Sequence, residues 1–311
     1  MNELIGRVFS FETHVFPNES ALYNQLASHG QSPKALMISC APTGSKAQFI
    51  RFAEAPQDWH GSLQTSVSRY RSASGVELDL VAAVHVADKR YYDKLNAYFA
   101  DRDLVLYELV TDGSSTDSAR GMSESGLSVV GWLQVTAASL LGLRFQLDEI
   151  AYGASNFRHA DLSVSELQAI MAAKQENFIT LFVAMASAQL ASEQQARIRE
   201  DLPASSFTTM ALLSALSSED RSQAVKYLLG KELGRSGSIA IDPAMESKLT
   251  LLGDRNEAAL SALRDVLEQD QARTISLFFG ATHMAGLERV ITGELGFELE
   301  ERLWLAAWKI P

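Results

Sequence analysis

Apolar residues recur along the chain at two spacings, one typical of strands and one typical of helices. Together these patterns predict strands joined by helices. Residues 63–71 alternate between apolar and polar as in an antiparallel strand, and a Ser-Ala-Ser-Gly turn at 72–75 separates them from the stretch 76–84, which is almost wholly apolar from residue 78. This pair predicts a β-hairpin. A helical pattern over 88–100 and a short apolar strand at 104–107 follow. That order is typical of parallel strands linked by a crossover helix.

From residue 127 to about residue 252, apolar residues recur at helical spacing, which predicts a helical insertion or cap. The predicted helices of this region are 127–143, 163–173, 178–200, 207–216 and 219–229. The chain then returns to helix and strand, with a helix at 256–268, a strand at 274–279, a helix at 286–292 and a strand at 302–310. We therefore predict an α/β fold with a central mixed, largely parallel sheet, an N-terminal hairpin and a helical insertion.

The first 45 residues differ in character from the rest. An Ala-Pro-Thr-Gly-Ser cluster at 41–45 ends an apolar run and predicts a boundary between residues 1–45 and an α/β domain over 46–311. A second stretch rich in Ser, Gly and Thr, residues 113–126, predicts a mobile loop that is suitably placed for a lid.

Composition and charge limit the kinds of partner and chemistry that we expect of the chain. The chain has 311 residues and a formal net charge of -11, without the clustered Lys and Arg that nucleic-acid binding needs, so we expect no nucleic-acid partner. Its single cysteine, Cys40, excludes an internal disulfide and a cluster of zinc-bound thiolates. The apolar run 178–191 is too short for a transmembrane segment, and no signal peptide is evident, so the compartment is open and cytoplasmic only by default.

Three ionisable side chains follow predicted strands. His85 comes directly after one, Glu108 ends the next, and His283 follows a third through Gly280. Because ligands bind at the carboxyl ends of parallel strands, we expect these three groups to converge. His159 is a candidate fourth contributor, and the alternative is a structural loop histidine hydrogen-bonded to the neighbouring Asp161.

Four segments resemble the TraB/GumN and Tiki superfamily, which is related more distantly to ChaN-like and erythromycin-esterase-like proteins. The resemblance spans about residues 47–311, and its motifs are Val81–Ala87, Val105–Leu109, Asp254–Asn256 and Phe279–Leu287. It implies that His85, His283 and Glu108 hold a divalent metal and that Arg255 orients or neutralises an anionic intermediate. The chain departs from the family pattern at Ala82, where a glycine is expected.

The resemblance implies a metal-dependent hydrolase that cleaves a peptide or ester bond in a peptide or small-molecule substrate. Two imidazoles and a carboxylate suit Mn, Co, Fe or Zn. Without a metal, Glu108 and His85 would serve as a general base pair. The alternatives from other classes are a ChaN-like haem or metal carrier and a catalytically inactive interaction domain.

Residues 1–40 resemble the start of a β-class carbonic anhydrase, in which Cys40 would be the first zinc ligand. Ala41, Pro42 and Thr43 stand where that enzyme needs Asp-Ser-Arg, and a second cysteine is missing. We therefore expect no carbonic anhydrase activity. We interpret the stretch as a fused fragment or an oligomerisation arm, and include a homodimer among the expected assemblies.

Overall fold

The computed structural model describes residues 49–110, 141–176, 191, 194, 209–236 and 243–311. Several predicted features lie outside these residues. They are the N-terminal fragment 1–45 with Cys40, its boundary at 41–45, the loop 113–126, most of the helix 127–143, and nearly all of the helix 178–200.

Nine strands are found in the described part, and seven of them form one sheet. In chain order the strands are β1 (Ile50–Glu54), β2 (Gly61–Arg71), β3 (Glu77–Ala83), β4 (Val86–Ala87), β5 (Leu104–Tyr107), β6 (Arg144–Phe145), β7 (Phe157–His159), β8 (Thr274–Gly280) and β9 (Glu298–Ile310). The sheet order is β1-β2-β3-β8-β5-β7, with β9 paired to β2, while β4 and β6 form a separate pair.

The sheet is mixed, and its parallel part contains the strands that precede His85, Glu108 and His283. β1, β3 and β9 pair with β2 in antiparallel fashion, whereas β3–β8, β8–β5 and β5–β7 are parallel. The α/β fold with a central mixed sheet and a hairpin is therefore confirmed. Because β8 lies between β3 and β5, the carboxyl ends of these three strands are neighbours.

The helices of the described residues agree largely with the helical patterns. They are α1 (Lys89–Ala100), α2 (Gln146–Glu149), α3 (Val164–Ala173), α4 (Thr209–Ser217), α5 (Arg221–Ser236), α6 (Pro243–Glu246), α7 (Arg255–Glu268) and α8 (Met284–Gly293), with a π-helix at Thr250–Asp254. A capping box is present at the start of α3, since the Ser163 and Glu166 side chains each bond the backbone of the other residue.

Packing of α1 shows how the sequence builds the region around His85. Tyr91 and Tyr92 are buried on α1, and their hydroxyls donate to the carbonyl oxygens of Ala82 and Val84, both at 3.1 Å. These bonds brace the chain where β3 ends. Asp88 occupies the N-cap position of α1, but its side chain makes no cap hydrogen bond; its carboxylate accepts from Lys226 at 2.8 Å instead.

Two strands of the sheet were not predicted from the sequence. β1 has five residues and β7 has three, and most of them are only partly buried, so neither forms a continuous apolar run. β7 also interrupts the region 127–252, so the described part of this insertion is not wholly helical. Within the ranges described above, no helix is long and apolar enough to cross a membrane.

Candidate functional site at the carboxyl edge of the sheet

Glu108 lies at the centre of a cluster formed at the ends of β5 and β8. Its Oε1 accepts from Nη2 of Arg255 at 2.6 Å and lies 3.4 Å from Nε2 of His283. Its Oε2 accepts from the backbone N–H of Gly280 at 2.5 Å. Both carboxylate oxygens are therefore held in place, and the side chain is only 9% exposed.

The electrostatic surroundings favour an ionised Glu108. Burial raises the pKa of this carboxyl, but the positive charge of Arg255, together with the influence of His283 and His85, outweighs burial. The pKa of Glu108 consequently lies well below its ordinary value. An anion at neutral pH is a good ligand for a cation and a poor general base, because a base works best with a pKa near the working pH.

Arg255 connects Glu108 with a second buried carboxylate, Asp161. Nε of Arg255 donates to Oδ1 of Asp161 at 2.9 Å, and Nη2 donates to Oδ2 at 2.5 Å. The carboxylate of Asp161 is completely buried, and the two negative charges share one guanidinium. Asp161 was interpreted from the sequence only as a structural residue near a helix N-terminus. Its partner is 94 positions away, which no local pattern reveals.

His283 directly follows a tight turn at the end of β8. Its backbone N–H donates to the carbonyl oxygen of Gly280 at 2.9 Å, and its ring is buried. Nδ1 of the ring lies 2.7 Å from Oδ1 of Asn256, and Nδ2 of Asn256 donates to Oε1 of Glu246 at 3.0 Å. Asn256 lies inside α7 and binds His283.

The segment before Arg255 is a π-helix, a form that occurs mostly as single turns and often at functional sites. It is followed at once by Arg255 and Asn256, which contact different members of the cluster. Asp254 occupies the cap position of α7 but makes no side-chain cap; its carboxylate pairs with Lys174.

His85 reaches the same region from β3. A Cβ placed on Gly280 would lie 3.9 Å from Nε2 of His85, 3.3 Å from Oε2 of Glu108 and 3.8 Å from Cδ2 of His283. The missing side chain of Gly280 thus leaves a small cradle between the three groups. His85 is exposed, and no hydrogen bond or ion pair within the described part engages its imidazole.

His159 does not join this cluster. It ends β7 opposite Tyr107, and its Nε2 donates to the carbonyl oxygen of Leu109 at 2.5 Å. The alternative partner, Asp161, binds Arg255 instead. His159 therefore has a structural contact, and neither of the contacts expected from the sequence is present.

Glu108 and His283 fit a metal, although no group of three His, Cys, Asp or Glu side chains is arranged as a ligand set in the described ranges. Two ligands about 2.1 Å from a tetrahedral ion stand roughly 3.4 Å apart. That is the separation of Nε2 of His283 and Oε1 of Glu108. The cradle at Gly280 and the imidazole of His85 lie beside this pair, so these three side chains are the ones that would hold a metal ion.

The class of protein defined so far is an α/β protein with a buried acid and histidine cluster at the carboxyl edge of its parallel strands. No protein-family model, curated protein or solved structure matches the chain. Membership of the TraB/GumN and Tiki superfamily accordingly stays a prediction from the four sequence motifs.

Proposed function

We propose that the chain is a metal-dependent hydrolase of the TraB/Tiki type, acting on a peptide or ester bond. The observation that supports this most is the pairing of Nε2 of His283 with Oε1 of Glu108 at 3.4 Å, beside a cradle that only a glycine leaves open. A carboxylate and an imidazole facing each other at this distance suit a shared cation.

In this proposal, Glu108, His283 and His85 hold a divalent metal such as Mn, Co, Fe or Zn. A metal bound there lowers the pKa of a water and polarises the carbonyl of the substrate. Arg255 acts by orienting Glu108, since its Nε and Nη2 are both engaged with carboxylates. The resemblance alone suggested that Arg255 binds an anionic intermediate, and the contacts favour the orienting role.

The general base pair of Glu108 and His85 is the less favoured mechanism. The carboxylate of Glu108 is occupied by Arg255 and by the N–H of Gly280, and its pKa is lowered, so it has little capacity to accept a proton near neutral pH.

Metal analysis of the purified full chain tests the proposal. The protein is freed of metal with a chelator, loaded separately with Mn, Co, Fe(II) or Zn, and its bound metal is measured, together with hydrolysis of ester and peptide panels. We expect one metal per chain and hydrolysis in the wild type, and loss of both in His283→Ala and His85→Ala. His60→Ala is the matched control, because that histidine bonds the carbonyl of Asp58 and lies outside the cluster.

Three results would contradict the proposal. If both histidine variants keep wild-type metal content, the site is misplaced. If metal or haem binds fully but no ester or peptide is cleaved, the chain is a carrier, as in the ChaN-like alternative. Absence of both binding and hydrolysis would favour an interaction domain.

A further inference from the structure

A buried chain of side chains leads away from the site on the far side of His283. It runs from His283 to Asn256 on α7, then to Glu246 at the end of α6, and closes at Arg289 on α8. The heavy-atom distances along it are 2.7, 3.0 and 2.7 Å. His283, Asn256 and Glu246 are each no more than 6% exposed, and Arg289 reaches solvent.

The chemistry of these groups sets the direction of every hydrogen bond. A carboxylate only accepts, so the atom of Asn256 that faces Glu246 is the amide nitrogen, and the amide oxygen must then face His283. That oxygen is an acceptor, so Nδ1 of His283 carries the proton. In the neutral imidazole, Nε2 is therefore the unprotonated nitrogen, and it is the atom that lies 3.4 Å from Glu108.

Two glycines make room for this chain. A Cβ on Gly286 would lie 1.9 Å from Oε1 of Glu246 and 2.3 Å from Nδ2 of Asn256, so any larger residue would break the bond between them. A Cβ on Gly253, in the π-helix, would lie 2.8 Å from the Cα of Ser247, next to Glu246. Three helical segments thus approach closely at the point where Glu246 meets Asn256.

We propose that Asn256 and Glu246 are positioning residues, which hold His283 in the tautomer protonated at Nδ1 and so present Nε2 towards Glu108. Hydrogen bonds to the second nitrogen of a ligating histidine serve this purpose in metal sites. The consequence for metal binding rests on the proposed function, whereas the tautomer itself does not.

The tautomer is measured by ¹⁵N NMR of histidine-labelled, metal-free full-length protein, at a pH where the imidazole is neutral. The His283 signals are assigned as those missing from His283→Gln. We expect a protonated Nδ1 and an unprotonated Nε2 in the wild type, and loss of this preference in Asn256→Leu. Asn156→Leu is the matched control, because Asn156 bonds the carbonyls of Phe99 and Arg102, away from His283.

A double variant separates positioning from mere stability. Asn256→Asp alone places two carboxylates side by side. Combined with Glu246→Gln, it restores the chain, since the glutamine amide donates to the new carboxylate, which accepts from Nδ1. We expect the wild-type tautomer to return in the double variant. If Asn256→Leu does not fold, Glu246→Gln alone serves, because the amide of Asn256 is then free to turn and the tautomer preference should weaken.

Metal affinity supplies the second readout. Loss of a supporting partner of a ligating histidine costs about 10- to 100-fold in metal affinity, and we expect a loss of that size in Asn256→Leu and recovery in the double variant. A wild type protonated at Nε2, or an Asn256→Leu protein with an unchanged tautomer, would overturn the inference. A wild type with the expected tautomer but no metal binding would instead refute the proposed function alone.

Discussion

Arg255→Met is the most informative perturbation of stability, because Arg255 neutralises two buried carboxylates at once. Glu108 and Asp161 have side chains that are 9% and 0% exposed, and both bond the same guanidinium. Breaking one buried ion pair by removing a partner costs about 3–5 kcal/mol. Since Arg255→Met leaves two buried carboxylates without their cationic partner, we take this range as the minimum. It is a large part of a typical stability of about 5–15 kcal/mol.

The effect should depend on pH with a definite sign. In the wild type, the depressed pKa of Glu108 adds stability above the unfolded-state pKa, and this contribution is lost as the pH falls through the folded-state pKa. Without Arg255, burial is the main influence left on Glu108, so its folded-state pKa should rise above the unfolded value of about 4.3. Protonation then favours the folded form, and the variant should recover stability as the pH falls from neutral towards about 5.

The assay is urea unfolding of metal-free wild type and variant at pH 7.5 and pH 5. With an m-value of about 3 kcal/mol per molar, a loss of 3–5 kcal/mol lowers the midpoint by roughly 1–1.7 M. Comparing the two proteins at each pH cancels the titration of the histidines that they share. Arg264→Met is the control: this arginine pairs with the exposed Glu257, and such pairs are worth at most about 1 kcal/mol.

The reasoning would be refuted if Arg255→Met lies within about 1 kcal/mol of the wild type at pH 7.5. It would also fail if the difference between the two proteins is the same at pH 5. Either result would mean that water or another group compensates the negative charges of the two carboxylates.

Three further outcomes follow from particular contacts. Gly280→Ala should fold, since its Cβ meets Oε2 of Glu108 at a tight 3.3 Å, but it fills the cradle, so bound metal should fall while the unfolding midpoint changes little. Gly286→Ala should lower the melting temperature clearly, because its Cβ would lie 1.9 Å from Oε1 of Glu246; an unchanged melting temperature would contradict this packing. Asp103 accepts two backbone N–H bonds that lower its pKa, so Asp103→Asn should lose about 1 kcal/mol at pH 7, and the difference from wild type should shrink as the pH falls through the lowered pKa of the folded state. Urea unfolding at pH 7 and pH 3 measures it.

Local patterns predicted the elements that are long or wholly buried. β5 lies where the sequence placed it, and β3, α1 and β8 differ from the prediction by one residue at one end or at both ends. Their apolar spacing follows from burial on one face or both, which a short window of sequence records. β1 and β7 are mostly only partly buried, so they lack the continuous apolar run that revealed the equally short β5.

The candidate site was predicted as far as it depends on strand ends. Glu108 and His283 follow strands that the sequence revealed, and their meeting required only that these strands be parallel. Asp161 and Glu246 could not be found in this way. Each is one carboxylate among the 38 acidic residues, and only the partners across the fold distinguish it.

The position of β8 between β3 and β5 has a consequence for folding during synthesis. β8 begins about 170 residues after β5 ends, so both of its neighbours leave the ribosome long before it does. At about 5–20 residues per second, they wait roughly 8–30 s without the strand that joins them. During that interval their inner edges are open to pairing with other chains. Slow folding and a need for chaperone protection are therefore built into the strand order that brings Glu108 and His283 together.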